Sequence, residues 1–270
     1  MEELTLQEIK RIEFDLLLRF DAFCKEHHIR YFLSNGTLLG AVKYKGFIPW
    51  DDDVDVLVPR EDYQKLLTLF RDDERYRLFA FERTPEFRFP FAKLCDMTTR
   101  KQESNQDNGA VLGLDMDIFP LDAWSGDLRR ARREVASIGR SMLCLYLTKS
   151  AKADSQNPVK RLVKRLVMVA AKLAGGPYFV RRIIRKSTSP VFKRGVYVGC
   201  KSWCIYGERE IIPAEAFENT IEVSFEGETF PAPVGYDTYL RSLYGDYVQD
   251  PPVEKQKTHH SFVAYRVDRA

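Results

Sequence analysis

No run of about 18 apolar residues occurs in the chain, so no helix is expected to span a bilayer. The first residues, Met1-Glu2-Glu3-Leu4, lack the basic and apolar regions of a secretory signal. These two absences lead us to expect a protein that stays in the cytoplasm. Cysteine is sparse: Cys24, Cys95, Cys144, Cys200 and Cys204 are scattered and odd in number, which fits reduced thiols rather than a disulfide framework. Cys200 and Cys204 have no second Cys or His pair at zinc-ligand spacing, and buried thiols are expected there. Internal repeats and low-complexity tracts are also missing. A net charge of +3 is too small to imply a nucleic-acid partner, and none is expected.

Charge of one sign is missing locally. No acidic residue lies between Asp154 and Glu208, while Lys160, Arg161, Lys164, Arg165, Lys172, Arg181, Arg182, Arg185, Lys186, Lys193 and Arg194 all do. Within this stretch Leu162, Leu166, Val169 and Leu173 form one apolar stripe at helical spacing, with Arg161, Lys164, Arg165 and Lys172 largely opposite. Three readings stay open. The helix lies on an anionic membrane surface, giving peripheral association through 158–186. It packs on the core and leaves a basic face in water. Or it forms a track for an anionic polymer.

What is present is a 270-residue chain with 44% apolar and 30% charged residues and 13% aromatics, enough for a substantial core. Its most informative stretch is Asp51-Asp52-Asp53-Val54-Asp55-Val56. A strand sends alternate side chains to one face, so Asp53 and Asp55 project together, about 7 Å apart at Cα, while Val54, Val56 and Val58 face the core. Adjacent carboxylates repel and raise each other's pKa unless a cation sits between them. Oxygen-only ligands favour a hard cation such as Mg²⁺ or Mn²⁺, and a metal on a strand-borne Asp pair suits phosphoryl transfer. The valine alternation argues against a solvated acidic loop. A calcium loop counted from Asp51 fails, because position six is Val56 rather than Gly and position twelve is Asp62 rather than Glu. A purely structural metal site stays open.

Around this stretch, Thr5 and Glu8 form a capping box opening a helix that ends near His27. Residues 29–33 read as a strand, 34–37 as a turn and 38–42 as a short helix. A helix begins at Pro59-Arg60-Glu61-Asp62, strands cover 76–81 and 89–95, and 98–109 reads as a polar hinge. Residues 111–119 form a further strand, 128–147 a helix, 222–225 and 229–230 short strands, and 236–244 a helix. Gly36-Thr37 sits at the strand-to-helix turn, where a glycine and the helix N-terminus favour a phosphate. Asp115 and Asp117 lie two residues apart, on one face of the 111–119 strand, and offer a further carboxylate.

The blocks Gly36-Thr37-Leu38-Leu39-Gly40-Ala41-Val42-Lys43 and Gly46-Phe47-Ile48-Pro49-Trp50-Asp51-Asp52-Asp53-Val54-Asp55-Val56 closely resemble the signature of the LicD family. So do Asp117-Ile118-Phe119-Pro120-Leu121-Asp122, Phe225-Glu226-Gly227, Tyr244-Gly245-Asp246-Tyr247 and His259 or His260, together running from about residue 30 to 262. The resemblance implies a nucleotidyltransferase-type α/β (α+β) fold. Its mixed, mostly antiparallel sheet would be flanked by helices in a single domain, 1–270, with a basic helical insert at 155–200. It implies Mg²⁺- or Mn²⁺-dependent transfer of a phospho-alcohol, foremost phosphocholine, from a CDP-activated donor such as CDP-choline to a cell-surface glycan hydroxyl, releasing CMP. Bacterial members modify surface polysaccharide, teichoic acid or lipopolysaccharide, while fukutin and fukutin-related protein use CDP-ribitol.

Carried over residue by residue, Asp53 and Asp55 hold the metal, with Asp51 as a further ligand or supporting partner. Asp117 receives the acceptor's proton or completes the metal shell. Gly36, Thr37 and Lys43 meet the phosphates, and His259 and His260 contact the donor. A lipid-linked acceptor would place the protein on the inner face of the cytoplasmic membrane. Two rival functions are a nucleotidyltransferase that releases pyrophosphate and a non-catalytic, metal-stabilised module that binds a glycan complex.

Overall fold

A computed structural model describes residues 2–103, 109–150, 158–189, 196–258 and 262–267. Helix α1 (Leu6–Glu26) begins at the expected capping box, with the Thr5 hydroxyl accepting from the Glu8 N–H and the Glu8 carboxylate accepting in return. Its apolar residues fall on one face, so Leu16, Leu17 and Phe20 are fully buried, each contributing about 1.5–3 kcal/mol. Strand β1 (Phe32–Leu33) feeds directly into α2 (Asn35–Tyr44), and Lys45 closes that helix in the left-handed conformation. The chain then loops into β2 (Asp55–Pro59), α3 (Arg60–Leu69), β3 (Tyr76–Phe79) and β4 (Ala92–Asp96).

Strand β5 (Thr99–Glu103) lies inside the segment read from sequence as a polar hinge. It pairs antiparallel with the last strand, so its partner lies about 160 residues away and leaves no local trace. Strand β6 (Leu114–Ala123) is the longest, followed by α4 (Leu128–Lys149), α5 (Pro158–Ala174) and α6 (Gly176–Ser187). Two short strands, β7 (Tyr197–Gly199) and β8 (Ile212–Pro213), precede the hairpin of β9 (Thr220–Phe225) and β10 (Glu228–Pro233). Helix α7 (Tyr236–Tyr244) and β11 (Phe262–Arg266) complete the described chain.

The main sheet runs β1-β2-β6-β4-β3, with β7 and β8 extending from the far end of β6. Only β2 and β6 are parallel among the described pairs of this sheet; the other pairs are antiparallel. This is the mixed, mostly antiparallel α/β architecture expected. Helix α1 lies over β4 and β6, and α2 packs on β2. A first core joins α1, the sheet, the β9–β10 hairpin and α7; a second joins α4 and α6 through Ala131, Val135, Ile138, Phe179, Val180 and Ile183. All five cysteines are free, and Cys200 and Cys204 are buried as expected. No described helix is long and apolar enough to cross a membrane.

Candidate active site

The acidic loop is clamped before β2 begins. Lys10 reaches from α1 and donates to the carbonyls of Ile48 and Pro49, both at 3.0 Å. Desolvation lowers the Lys10 pKa, while Asp51, Glu226 and Asp52 pull the other way. Glu226, at the left-handed turn of the β9–β10 hairpin, accepts from the Phe47 N–H at 3.1 Å and donates its own N–H to the Lys45 carbonyl at 2.9 Å. The loop also needs glycine: a Cβ on Gly40 would lie 2.4 Å from the Gly46 carbonyl oxygen, and one on Gly46 2.1 Å from Glu226 Oε1. So fixed, the loop gathers one carboxylate oxygen each from Asp51, Asp52 and Asp53 within 4.8 Å of one another.

At Gly36 the sequence reading receives an added explanation. A Cβ there would stand 2.5 Å from Asp51 Oδ2, so the glycine admits the Asp51 carboxylate against the first turn of α2. Thr37 is likewise committed inside the protein, its hydroxyl accepting the Asp55 N–H at 2.8 Å. The Ser34 N–H donates to the Asp55 carbonyl at 3.1 Å. Thus the start of α2 fixes both ends of the acidic stretch. Its first-turn N–H groups, which lack intrahelical acceptors in any α-helix, remain the feature able to meet an anion.

Asp55 and Asp117 are direct partners across the parallel β2–β6 pair, and the Asp117 N–H donates to the Val54 carbonyl at 2.8 Å. Burial, then the charges of Asp53 and Asp117, push the Asp55 carboxyl well above its ordinary range, against a hydrogen bond from Asn35. Asn35 is held in turn by the Tyr239 hydroxyl at 2.9 Å. Asp55 and Asp117 therefore crowd one end of β2 and β6, with Asp53 within electrostatic reach.

Compensation for Asp117 comes from Lys93 on β4, its cross-strand partner. Its ammonium donates to both Asp115 and Asp117, beneath the rings of Phe89 and Phe91. Lys101 adds a second bond to Asp115 at 3.0 Å. Burial works against ionising Asp115, yet Lys101 and Lys93 hold its carboxyl down at about 2. Asp117 behaves oppositely: burial and Asp115 outweigh Lys93 and raise it to about 6. The Asp117 side chain is 21% exposed and that of Asp115 is 1% exposed, so Asp117 faces the site and Asp115 anchors Lys93 behind it. Deeper still, Glu13 on α1 is buried with Oε2 unpartnered; burial and Asp115 keep its carboxyl well above the usual range, favouring the neutral acid.

Sequence reasoning missed Lys10, Glu13, Asn35, Lys93 and Lys101. A lysine within the apolar strand Phe91-Ala92-Lys93-Leu94-Cys95 is a usable signal, since a buried ammonium requires carboxylate partners. Lys43 pairs with Asp250 at 2.6 Å, and the Tyr44 hydroxyl binds the same carboxylate. Asp122 is structural, accepting two bonds from Arg60, at 2.8 and 2.5 Å, and one from the Ser189 N–H at 3.0 Å. His259 and His260 lie outside the described residues. Tyr206 and Tyr244, hydrogen-bonded to each other at 3.1 Å and packed edge to face, stand within electrostatic reach of Asp55.

The donor set is all oxygen and carries excess negative charge, a combination that fits a hard divalent cation. Among the described residues, Asp51, Asp52 and Asp53 bring carboxylate oxygens to metal-ligand spacing, and Asp55 and Asp117 pair next to them across β2 and β6. A helix N-terminus beside such carboxylates can receive phosphate groups, and a partly exposed carboxylate near pKa 6 can accept a proton near neutral pH.

Comparison with known proteins gives the same direction. The family model described as "LicD/FKTN/FKRP, nucleotidyltransferase domain" matches residues 28–130. Over 280 aligned residues the chain is 30% identical to the lipopolysaccharide cholinephosphotransferase LicD of Haemophilus influenzae, covering 98% of this chain and 99% of that protein. Two local matches are to uncharacterised proteins, one of Rickettsia typhi, 43% identical over 49 residues, and one of Rickettsia prowazekii, 49% identical over 37. They cover 16% and 14% of those proteins.

Proposed function

The chain belongs to the LicD family of transferases, and from that membership we propose that it moves phosphocholine from CDP-choline to a glycan hydroxyl of lipopolysaccharide, releasing CMP. We place the reaction at the inner face of the cytoplasmic membrane and treat residues 1–270 as one domain with 155–200 inserted. The observation that carries the reading is the pairing of Asp55 with Asp117 across the parallel β2–β6 pair, with Asp53 in the loop just before β2 and within electrostatic reach, beside the start of α2.

In this reading the donor's pyrophosphate meets the first-turn N–H groups of Gly36 and Thr37. Asp53, Asp55 and Asp51 would hold Mg²⁺ or Mn²⁺, which when bound neutralises charge on the phosphoryl group being transferred, and Asp117 is left as the proton acceptor. The acceptor oxygen bonds to the phosphorus of phosphocholine as the bond from that phosphorus to the oxygen of CMP breaks. Lys93 engages Asp117 Oδ1, so the acceptor's proton passes to Oδ2. Asn35 and Thr37 position Asp55 from its side chain and its backbone.

The test is product identity. Protein, lipopolysaccharide and Mg²⁺ are incubated separately with CDP-choline, CDP-ethanolamine, CDP-ribitol and CDP-glycerol. Mass spectrometry then follows the acceptor while chromatography follows the nucleotide. We expect a phosphocholine increment on the glycan and one CMP per transfer. A modified acceptor with pyrophosphate as product, or preference for another alcohol, would replace the reading.

A further inference from the structure

The pair α5–α6 contains two amphipathic basic helices that meet different fates. Helix α6 buries its apolar face, Phe179, Val180 and Ile183, against α4 and keeps Arg181 and Arg185 in solvent. That is the ordinary arrangement. Helix α5 inverts it. Leu162 is 59% exposed, Leu166 63%, Val169 49% and Leu173 84%, and Val163 and Val167 are exposed beside them. The helix is attached instead by Ala171, which is buried, and the half-buried Met168 one turn earlier. The core-packed alternative drawn from the sequence is thereby corrected: the apolar stripe is the outward face.

At 100° per residue the six exposed aliphatic residues fill an arc of about 160°. Arg161, Arg165 and Lys172 border it on one side and Lys160 on the other. An apolar arc of this size needs a cover, because water-exposed aliphatic surface carries a free-energy cost in proportion to its area. The cationic borders and the absence of acidic residues from 155 to 207 select among covers. A second copy of the same helix would bring like charges together. An anionic polymer would satisfy the cations and leave the leucines in water. A bilayer bearing anionic headgroups satisfies both, since its acyl region takes the aliphatic arc and its headgroups take the flanking cations.

We propose that α5 lies in the plane of an anionic membrane, buried to the depth of its leucine arc, and docks the protein there. At 17 residues the helix is about 25 Å long, too short and too charged to span. Cations along both borders, rather than at the two ends, fix it parallel to the surface. Vesicle binding requires no turnover, so this inference stands or falls separately from the transferase reading.

The experiment is co-sedimentation of the full chain with vesicles of phosphatidylglycerol and phosphatidylethanolamine, against vesicles of phosphatidylcholine. The variants are Leu166→Ser/Leu173→Ser and Arg161→Gln/Arg165→Gln/Lys172→Gln. Size-exclusion chromatography and melting curves run alongside; because the changed side chains are exposed, the melting temperature should hold. Leu173→Ser alone provides the mildest change. We expect at least tenfold stronger binding to the anionic vesicles and at least a tenfold loss in each multiple variant. Failure of the parent to bind anionic vesicles overturns the proposal. So does binding lost with the cations and indifferent to the leucines, which would indicate a polyanion track. A parent dimer that the leucine variants make monomeric, without vesicle binding, would show that a second copy covers the face.

Discussion

Gly36→Ala separates the chemistry of the site from the stability of the fold. Gly36 lies in the first turn of α2 and does not have the left-handed backbone that would forbid a side chain. Alanine is the better helix former, by up to about 1 kcal/mol relative to glycine. The fold should therefore hold its melting temperature or gain slightly. The new Cβ would, however, stand 2.5 Å from Asp51 Oδ2. Relieving that contact displaces the Asp51 carboxylate by roughly 0.7 Å or more toward an ordinary carbon–oxygen separation. Asp51 shares its ligand cluster with Asp52 and Asp53, so the displacement passes into the group proposed to hold the metal. A misplacement near 1 Å in a reacting constellation costs on the order of 100-fold. The assay is CMP formation from CDP-choline in the presence of lipopolysaccharide, paired with thermal melting. A 30- to 300-fold fall in kcat, with melting temperature unchanged or raised, is the expected result. Unaltered turnover would refute the view that Asp51 must rest against this glycine.

Lys93→Met removes the cation shared by Asp115 and Asp117. Breaking such a buried pair costs about 3–5 kcal/mol, roughly 6–20 °C in a chain of this size, and an unchanged melting curve would show the network to be idle. Asp122→Ala should cost a similar amount by stranding buried Arg60, but with kcat retained in the folded fraction, because that pair lies outside the proposed site. Burial raises the Glu210 carboxyl to about 8, so the folded protein keeps a proton that the unfolded chain releases near pH 4.5. Its stabilising contribution is complete below pH 4.5 and is lost as pH rises through 8, up to about 5 kcal/mol in all. Glu210→Gln should consequently gain on the parent in melting temperature between pH 5 and 9, and a constant difference would contradict the assignment.

Asp55 was legible as a strand carboxylate because valines alternate with aspartates through Asp53-Val54-Asp55-Val56 within a few residues of a glycine turn, but β2 begins at Asp55, so Asp53 lies in the loop before the strand rather than on it. The capping box and the α4 and α7 helices were legible for the same reason, since each is written within a few neighbouring residues. Lys93 and Lys101 were not, because their meaning depends on strand pairings that bring Asp115 and Asp117 beside them. Strand β5 was hidden by a partner at the far end of the chain. The choice between Asp115 and Asp117 needed their depths, which the shared strand face cannot distinguish. Helix α5 gives the sharpest lesson: its periodicity announces an apolar face, but only the packing of Ala171 and Met168 tells which way that face points.

The central claim is that Asp53, Asp55 and Asp117 act together on a CDP-activated donor. The most direct measurement is single-turnover CMP formation from CDP-choline with Mg²⁺ and lipopolysaccharide, for the parent and for Asp55→Asn, with folding checked by melting. Asn keeps the shape of Asp55 and removes its charge, and loss of an electrostatic contact of this kind costs on the order of 100- to 1,000-fold. The account predicts metal-dependent CMP release by the parent and a loss of at least that size in a folded variant. Equal rates for the two proteins would contradict it.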